Sequence, residues 1–389
     1  MPELSVSDSV RKLTRPHIKS LTSLRFIAAL LIFFLHAANH GFISSSYFGI
    51  FDLSKSVCFF FVLSGFVLGY AYYGRDFIIR SFYIARLLRV WPATLTALLF
   101  VITFLPRFIY LPNVESSVSS YIFTLVVHIL CLQSLIPIPS TFFAFNAVAW
   151  SVSAEIVFYF IFPRINQLKL NQLCHVFLLF ASITLFSSFL IANAAIPAFS
   201  LSNLDGVAWE GILYINPLIR LPEFILGIIS ARMYCILSKS RNKLLLFRSA
   251  RLESFWEFFL FLILSYYAFA FRSNIEIAYI KHVVNQLSSA ILFSLLLLNL
   301  ACFKGFASNL LSSKLLVFFG KISFGFYLYH QPLMIRAAQL NGLKIGAIQF
   351  LPNNIIAVFI WSIFLSVVSY YLIEKILSRR IELILIAYR

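Results

Sequence analysis

Ten apolar runs, each roughly 17–25 residues long, take up most of this chain and limit what it can become. They fall at about 22–41, 53–73, 87–106, 145–163, 173–196, 211–236, 255–271, 282–303, 315–336 and 352–374. A run of that length matches the hydrocarbon thickness of a bilayer. Lipid offers the backbone no partner, so each run must close its own hydrogen bonds as a helix. The runs are too long for barrel strands of about ten residues and do not alternate, which disfavours a β-barrel. Composition agrees: 61% of the 389 residues are hydrophobic and 12% charged, against about 25% charged in soluble domains. The chain therefore reads as an all-α, polytopic membrane protein with about ten transmembrane helices, and not as a cytoplasmic enzyme, a secreted domain or a disordered chain.

An eleventh segment, about 121–136, is short and is followed by Pro137 and Pro139. If it does not cross, 24 of the 31 Lys and Arg residues lie on one side and 7 on the other, the bias of a cytoplasmic face. That count predicts both termini inside, with tails 1–20 and 376–389 flanking a membrane domain at 21–375. The first twenty residues are polar and basic and show no cleavage site, so the first run is expected to be a retained span. The formal charge of +17 then reports topology and gives no reason to expect nucleic acid. Five cysteines are scattered singly in or beside apolar runs, without metal or disulfide spacing.

Ionisable side chains inside such runs are costly and mark functional candidates. His36 follows Arg25 by eleven residues, about 16 Å along a helix. Glu155 lies five residues after Trp150, Arg220 and Glu223 are three apart around Pro222, and His330 precedes Pro332. Four helices with polar groups at similar depth suggest a shared water-lined cavity. Arg220 and Glu223 fit a structural pair as well as a functional one. Arg86 and Arg89, three apart where the second loop is expected to end, suit lipid phosphate, topology or the phosphates of a soluble anionic donor. P-loop, dinucleotide, GxSxG and metal-cluster patterns are absent, and His36 and His40 have no third ligand nearby. A histidine beside a carboxylate is a competent base for a hydroxyl acceptor. The same residue types would serve a proton-coupled transporter or a flippase of a lipid-linked sugar, although no inverted-topology halves are evident.

Seven motifs in order resemble the integral-membrane acyltransferase 3 family, whose members O-acylate bacterial cell-surface polysaccharides and related glycans. They are LTSLRFIAALLIFFLH at 21–36, FFFVLSGFVLGY at 59–70, the Arg86–Arg89 pair followed by Pro92, AWSVSAEIVFYFIFP at 149–163, RLPEFILGI at 220–228, GKISFGFYLYHQPL at 320–333 and VSYYLIEK at 368–375. The resemblance implies a protein of the bacterial cytoplasmic membrane that takes an acyl group, most often acetyl, from acetyl-CoA or another acyl-CoA co-substrate. The acceptor would be a hydroxyl of a cell-surface or lipid-linked glycan. It also implies His36 as base or acyl relay, Arg86 and Arg89 as coenzyme A contacts, and Arg25 on the same donor path. Glu155 is expected to orient His36, with Ser151 or Ser153 as hydrogen-bond partner. Ser64, Trp150, Arg220, Glu223, Tyr329 and His330 are expected to bind substrate or support these groups. Family members often carry a C-terminal extracytoplasmic hydrolase-like domain. This sequence ends about fifteen residues after its last run, so either it acts alone or a separate extracytoplasmic partner finishes the transfer.

Overall fold

The computed structural model describes residues 15, 17–105, 118–200, 204–240, 250–342 and 354–377. Most of both expected tails, and residues 241–249, lie outside the described residues. The architecture is all helical. The helices are α1 (Lys19–Asn39), α2 (Ser56–Tyr72), α3 (Ile79–Phe104), α4 (Val118–Ile129), α5 (Trp150–Ile165), α6 (Leu170–Ala194), α7 (Pro217–Ser240), α8 (Ala250–Ala270), α9 (Ala278–Cys302), α10 (Phe306–Leu311), α11 (Lys314–Gly342) and α12 (Ile355–Ser369). Helix α12 continues into a π-helical turn at Tyr370–Glu374, and another such turn, Gly211–Ile215, precedes α7.

Among the described residues, nine helices are long and apolar enough to cross a membrane. The tenth expected span falls in α11, whose 29 residues are ample in length. Its sequence includes Lys321, Ser323, His330, Gln331 and Arg336, which dilute its apolar character. The 121–136 segment forms α4, twelve residues followed by turns; a helix of that size is about 18 Å long, short of a crossing. Helix α3 begins eight residues before the expected boundary at 87, so Arg80, Arg86 and Arg89 belong to the helix and not to a loop.

Burial grades the spanning helices from the centre of the bundle outward. In α2, α5 and α7, 72% of the apolar window is buried, against 22% in α6, 11% in α8 and 22% in α12. The outer helices expose Leu178, Phe186, Phe189, Phe255, Leu262, Ile360 and Phe364; water would not tolerate a surface of that kind, and lipid requires it. Helix α2 packs closely against α7, and α1 against α11. The first crossing depends on glycine: a Cβ at Gly65 would overlap the Phe224 carbonyl, and one at Gly227 would overlap that of Val62. Small residues let backbones approach where no hydrophobic force separates protein from lipid.

Helix-interior prolines matter for the site. Pro332 cannot donate to the carbonyl four residues earlier, that of Leu328. Asn146 Nδ2 donates to that freed carbonyl at 2.9 Å, tying the segment before α5 to α11 beside His330. Elsewhere Glu257, fully buried on α8, accepts from the backbone N–H groups of Ala307 and Ser308 at 3.0 and 3.1 Å and caps α10.

Candidate active site

Among the described residues, the expected arginines, glutamates and histidines inside the bundle fall into three places. The first lies at the Arg25 end of α1. Glu155, on α5, accepts two hydrogen bonds on Oε1, from Ser64 Oγ at 2.5 Å and Tyr159 OH at 2.7 Å. Arg25 from α1 lies within electrostatic reach of Glu155, of Tyr159, and of Arg86 and Arg89 from α3. The Arg86 guanidinium lies over the rings of Tyr72 at 6.0 Å and Phe82 at 5.9 Å. Arg89 also faces Glu374 in the π-helical turn after α12. Outside the membrane, partial desolvation and the cations Arg89, Arg25 and Lys321 hold the His17 imidazole below its ordinary value. Three arginines and Lys321 thus stand against Glu155 and Glu374, which leaves positive charge in excess. An anion would relieve it.

The motif FFFVLSGF acquires a physical meaning here. Ser64 and Gly65 are adjacent, so they point in different directions from α2: Gly65 admits α7, and Ser64 reaches Glu155. Tyr159 follows Glu155 by four residues on the same face of α5. That spacing was visible in AEIVFYF, although only the fold showed that both side chains turn toward the arginines.

The second place lies at the opposite end of α1. The rings of His36 and His330 are 5.3 Å apart between centroids. His330 is fully buried on α11, and its Nδ1 lies 2.8 Å from the Tyr327 carbonyl and 3.2 Å from that of Phe326. Carbonyls accept, so Nδ1 carries the hydrogen and the neutral ring keeps its lone pair on Nε2. That buried Nε2 makes no hydrogen bond among the described residues. The Gln331 amide lies 3.4 Å from His36 Nδ1.

Several expected site residues serve other contacts. Glu155, expected beside His36, is bound instead to Ser64 and Tyr159 within electrostatic reach of Arg25. Ser151 pairs with Tyr327 OH at 2.8 Å and with the Val148 carbonyl at 3.0 Å. Ser153 binds the Cys131 carbonyl and Ser134, fastening the turn after α4 to α5. Neither serine reaches His36. Trp150 is a buried ring packed between Phe61 and Tyr214. Tyr329 OH lies 3.4 Å from Thr96 Oγ1, and its ring meets Phe100 edge-on.

Arg220 and Glu223 form the third place, a buried ion pair at 3.2 Å whose guanidinium lies over Phe61 and Tyr214 at 5.2 and 5.0 Å. A cavity of about 330 Å³ lies at the arginine end between Tyr73, Asn166, Lys169 and Arg232, and none of the expected site residues lines it. Among the described residues, no three His, Cys, Asp or Glu side chains are grouped to hold a metal ion. Residue-by-residue reading missed Tyr159, Asn146, His17, Lys321, Glu374 and Gln331. Each acquires its role from a neighbour distant in sequence or from a helix face that only the fold orients.

A long stretch carrying both clusters matches a known family model, described as an acyltransferase domain, over residues 18–374. The chain belongs to this acyltransferase family. It is similar to acyltransferase MdmB of Streptomyces mycarofaciens, with 31% identity over 231 residues. That match covers 55% of this chain and 57% of the relative, so the chain spans little more than half the length of the curated relative it matches. No solved structure matches the chain. With nine long apolar helices among its described residues, the family member is a multi-pass protein of the bacterial cytoplasmic membrane.

Proposed function

We propose that this acyltransferase moves an acyl group, acetyl foremost, from cytoplasmic acyl-CoA to a hydroxyl of a cell-surface or lipid-linked glycan. The observation that carries the reading is the separation of two unlike clusters by one rigid helix. The arginine end of α1 carries excess positive charge, and the histidine end carries two imidazoles in ring contact. An extended thioester donor suits that arrangement. Its phosphates would meet the forked donors of Arg86 and Arg89, with Arg25 behind them, and its thioester would lie toward His36. With both termini on the cytoplasmic side, as the distribution of basic residues supports, the arginines face the donor pool.

The coenzyme supplies an activated acyl group, and the chain's residues do the rest. Glu155, held by Ser64 and Tyr159, keeps the three arginines together before the donor arrives. His36 accepts the proton of the acceptor hydroxyl as its oxygen attacks the thioester carbonyl. The new oxygen–carbon bond forms, the carbon–sulfur bond breaks, and the proton passes from the imidazolium to the departing thiolate. His330, fixed by two carbonyls, presents a second lone pair beside this path.

The test is label transfer from radiolabelled acetyl-CoA into alkali-labile esters by inverted membrane vesicles carrying the protein. His36→Ala should lower transfer by two to four orders of magnitude, about the range of general-base catalysis, while the protein elutes as a folded species in detergent. Transfer at the native rate in that variant would overturn the assignment. A transporter would move a sugar lipid without consuming acetyl-CoA.

A further inference from the structure

The proposed chemistry needs a lone pair on His36, and the side chain that decides where this lone pair lies is Gln331. It arrives from α11, next to His330, and is 9% exposed. Its amide lies 3.4 Å from His36 Nδ1, across 295 positions of sequence. A neutral imidazole has a hydrogen on one nitrogen and a lone pair on the other, and a hydrogen bond at one nitrogen determines the state of the other. If Gln331 presents its amide nitrogen, Nδ1 accepts, Nε2 keeps the hydrogen, and Nε2 takes no proton from a substrate. If it presents its oxygen, Nδ1–H donates and Nε2 is the base.

A half-turn of the terminal amide interchanges the two orientations with little change in shape. With Nε2 toward His36, Gln331 Oε1 is buried and has no hydrogen-bond partner among the described residues; the half-turn gives it His36 Nδ1–H. Of the other polar groups, His330 Nδ1 is held by two carbonyls, its Nε2 has only a lone pair to offer, and Glu155 is bound to Ser64 and Tyr159. The titratable groups facing His36 are His330 from α11 and His40 from the end of its own helix.

Resting on the reading of His36 as base, we infer that Gln331 is a positioning residue for acyl transfer. Its amide oxygen accepts the Nδ1 hydrogen of His36, leaving Nε2 to take the acceptor proton. The same contact becomes a charge-assisted hydrogen bond when the imidazolium forms, so it strengthens as the transition state is reached. The transferred proton leaves the hydroxyl for Nε2 and then moves to the thiolate, while Nδ1 keeps its hydrogen throughout.

Two variants separate this role from packing. Gln331→Met keeps the length and loses the acceptor; kcat for label transfer from acetyl-CoA should fall on the order of tenfold or more with KM for acetyl-CoA unchanged. Gln331→Glu keeps an oxygen at the same place and adds charge, so transfer should persist with the acid limb of its pH–rate profile moved to higher pH. A second readout needs no acceptor: diethyl pyrocarbonate acylates unprotonated imidazole, and peptide mass spectrometry follows its rate at His36. That rate should shift with pH in the Gln331→Glu protein in the same direction as the kinetic limb. Native kcat and pH profile in Gln331→Met, with His36→Ala inactive, would overturn the role of Gln331 alone. Activity surviving in His36→Ala would overturn the base reading beneath it. If the methionine variant does not fold, an unmoved acid limb and unchanged carbethoxylation in Gln331→Glu overturn the inference.

Discussion

Replacing Glu155 by glutamine distinguishes two arrangements of this site that the residue types alone allow. In the structure the carboxylate is bound to Ser64 and Tyr159 and lies within electrostatic reach of Arg25, which precedes His36 by eleven residues, about 16 Å along α1. At that distance, with an effective dielectric constant of about 20, one unit charge is worth about 1 kcal/mol to an imidazolium, or about 0.8 pH unit. A carboxylate in contact with the ring, about 4 Å away, would be worth about 4 kcal/mol, close to three pH units. Glu155→Gln removes a negative charge, so the acid limb of the pH–rate profile for acetyl transfer moves to lower pH in either case. A carboxylate near Arg25 calls for a shift of about 0.8 unit, reduced further by salt. The same variant should melt earlier in detergent. Two charge-assisted hydrogen bonds become neutral ones beside the arginine cluster, a loss on the order of 1–2 kcal/mol. A shift of the acid limb by two units or more, with an unchanged melting temperature, would refute the placement of Glu155 beside the arginines.

Further outcomes follow from the same contacts. Arg86→Ala and Arg89→Ala together should weaken acyl-CoA binding by well over tenfold, since each charge-assisted contact is worth roughly 1.5–3 kcal/mol; an unchanged dissociation constant by isothermal titration would leave the pair as topology signals. Gly65→Ala should lower the thermal midpoint in detergent by an amount corresponding to roughly 1–3 kcal/mol, because the added methyl overlaps the Phe224 carbonyl; a native midpoint would mean that the α2–α7 crossing is looser than described. Desolvation and neighbouring cations disfavour the charged form of His17. A polyanionic donor favours its protonation, so binding takes up a proton and affinity rises as pH falls through the His17 range. His17→Asn should remove that component of the pH dependence, and identical profiles for the two proteins would exclude His17 from the donor mouth.

The helices were largely legible because helix formation in lipid is a local matter. Each apolar run must satisfy its own backbone, and run length alone indicates a span. Boundaries were less legible where charge and helix coincide. Arg80, Arg86 and Arg89 look like loop residues by hydropathy, yet they extend α3 because its first turns lie among other polar groups. Serines were the least legible. Ser64, Ser151 and Ser153 look equivalent in sequence, but one binds the half-buried Glu155 carboxylate, one a tyrosine and one a turn.

What the sequence alone determined is the class of the protein, the run that carries Arg25 and His36 on one rigid axis, and the presence of costly charges that need partners. A helix of known rise converts eleven residues into a distance without knowledge of anything else in the molecule. Tertiary structure decided which partners those charges obtained. Glu155 went to Ser64, Tyr159 and the arginines; His36 went to Gln331 and His330; and the carbonyl freed by Pro332 went to Asn146. The physical reason is that the cost of burying a polar group states only that a complement must exist. Its identity depends on which helix faces meet, and that is settled by packing between segments hundreds of residues apart.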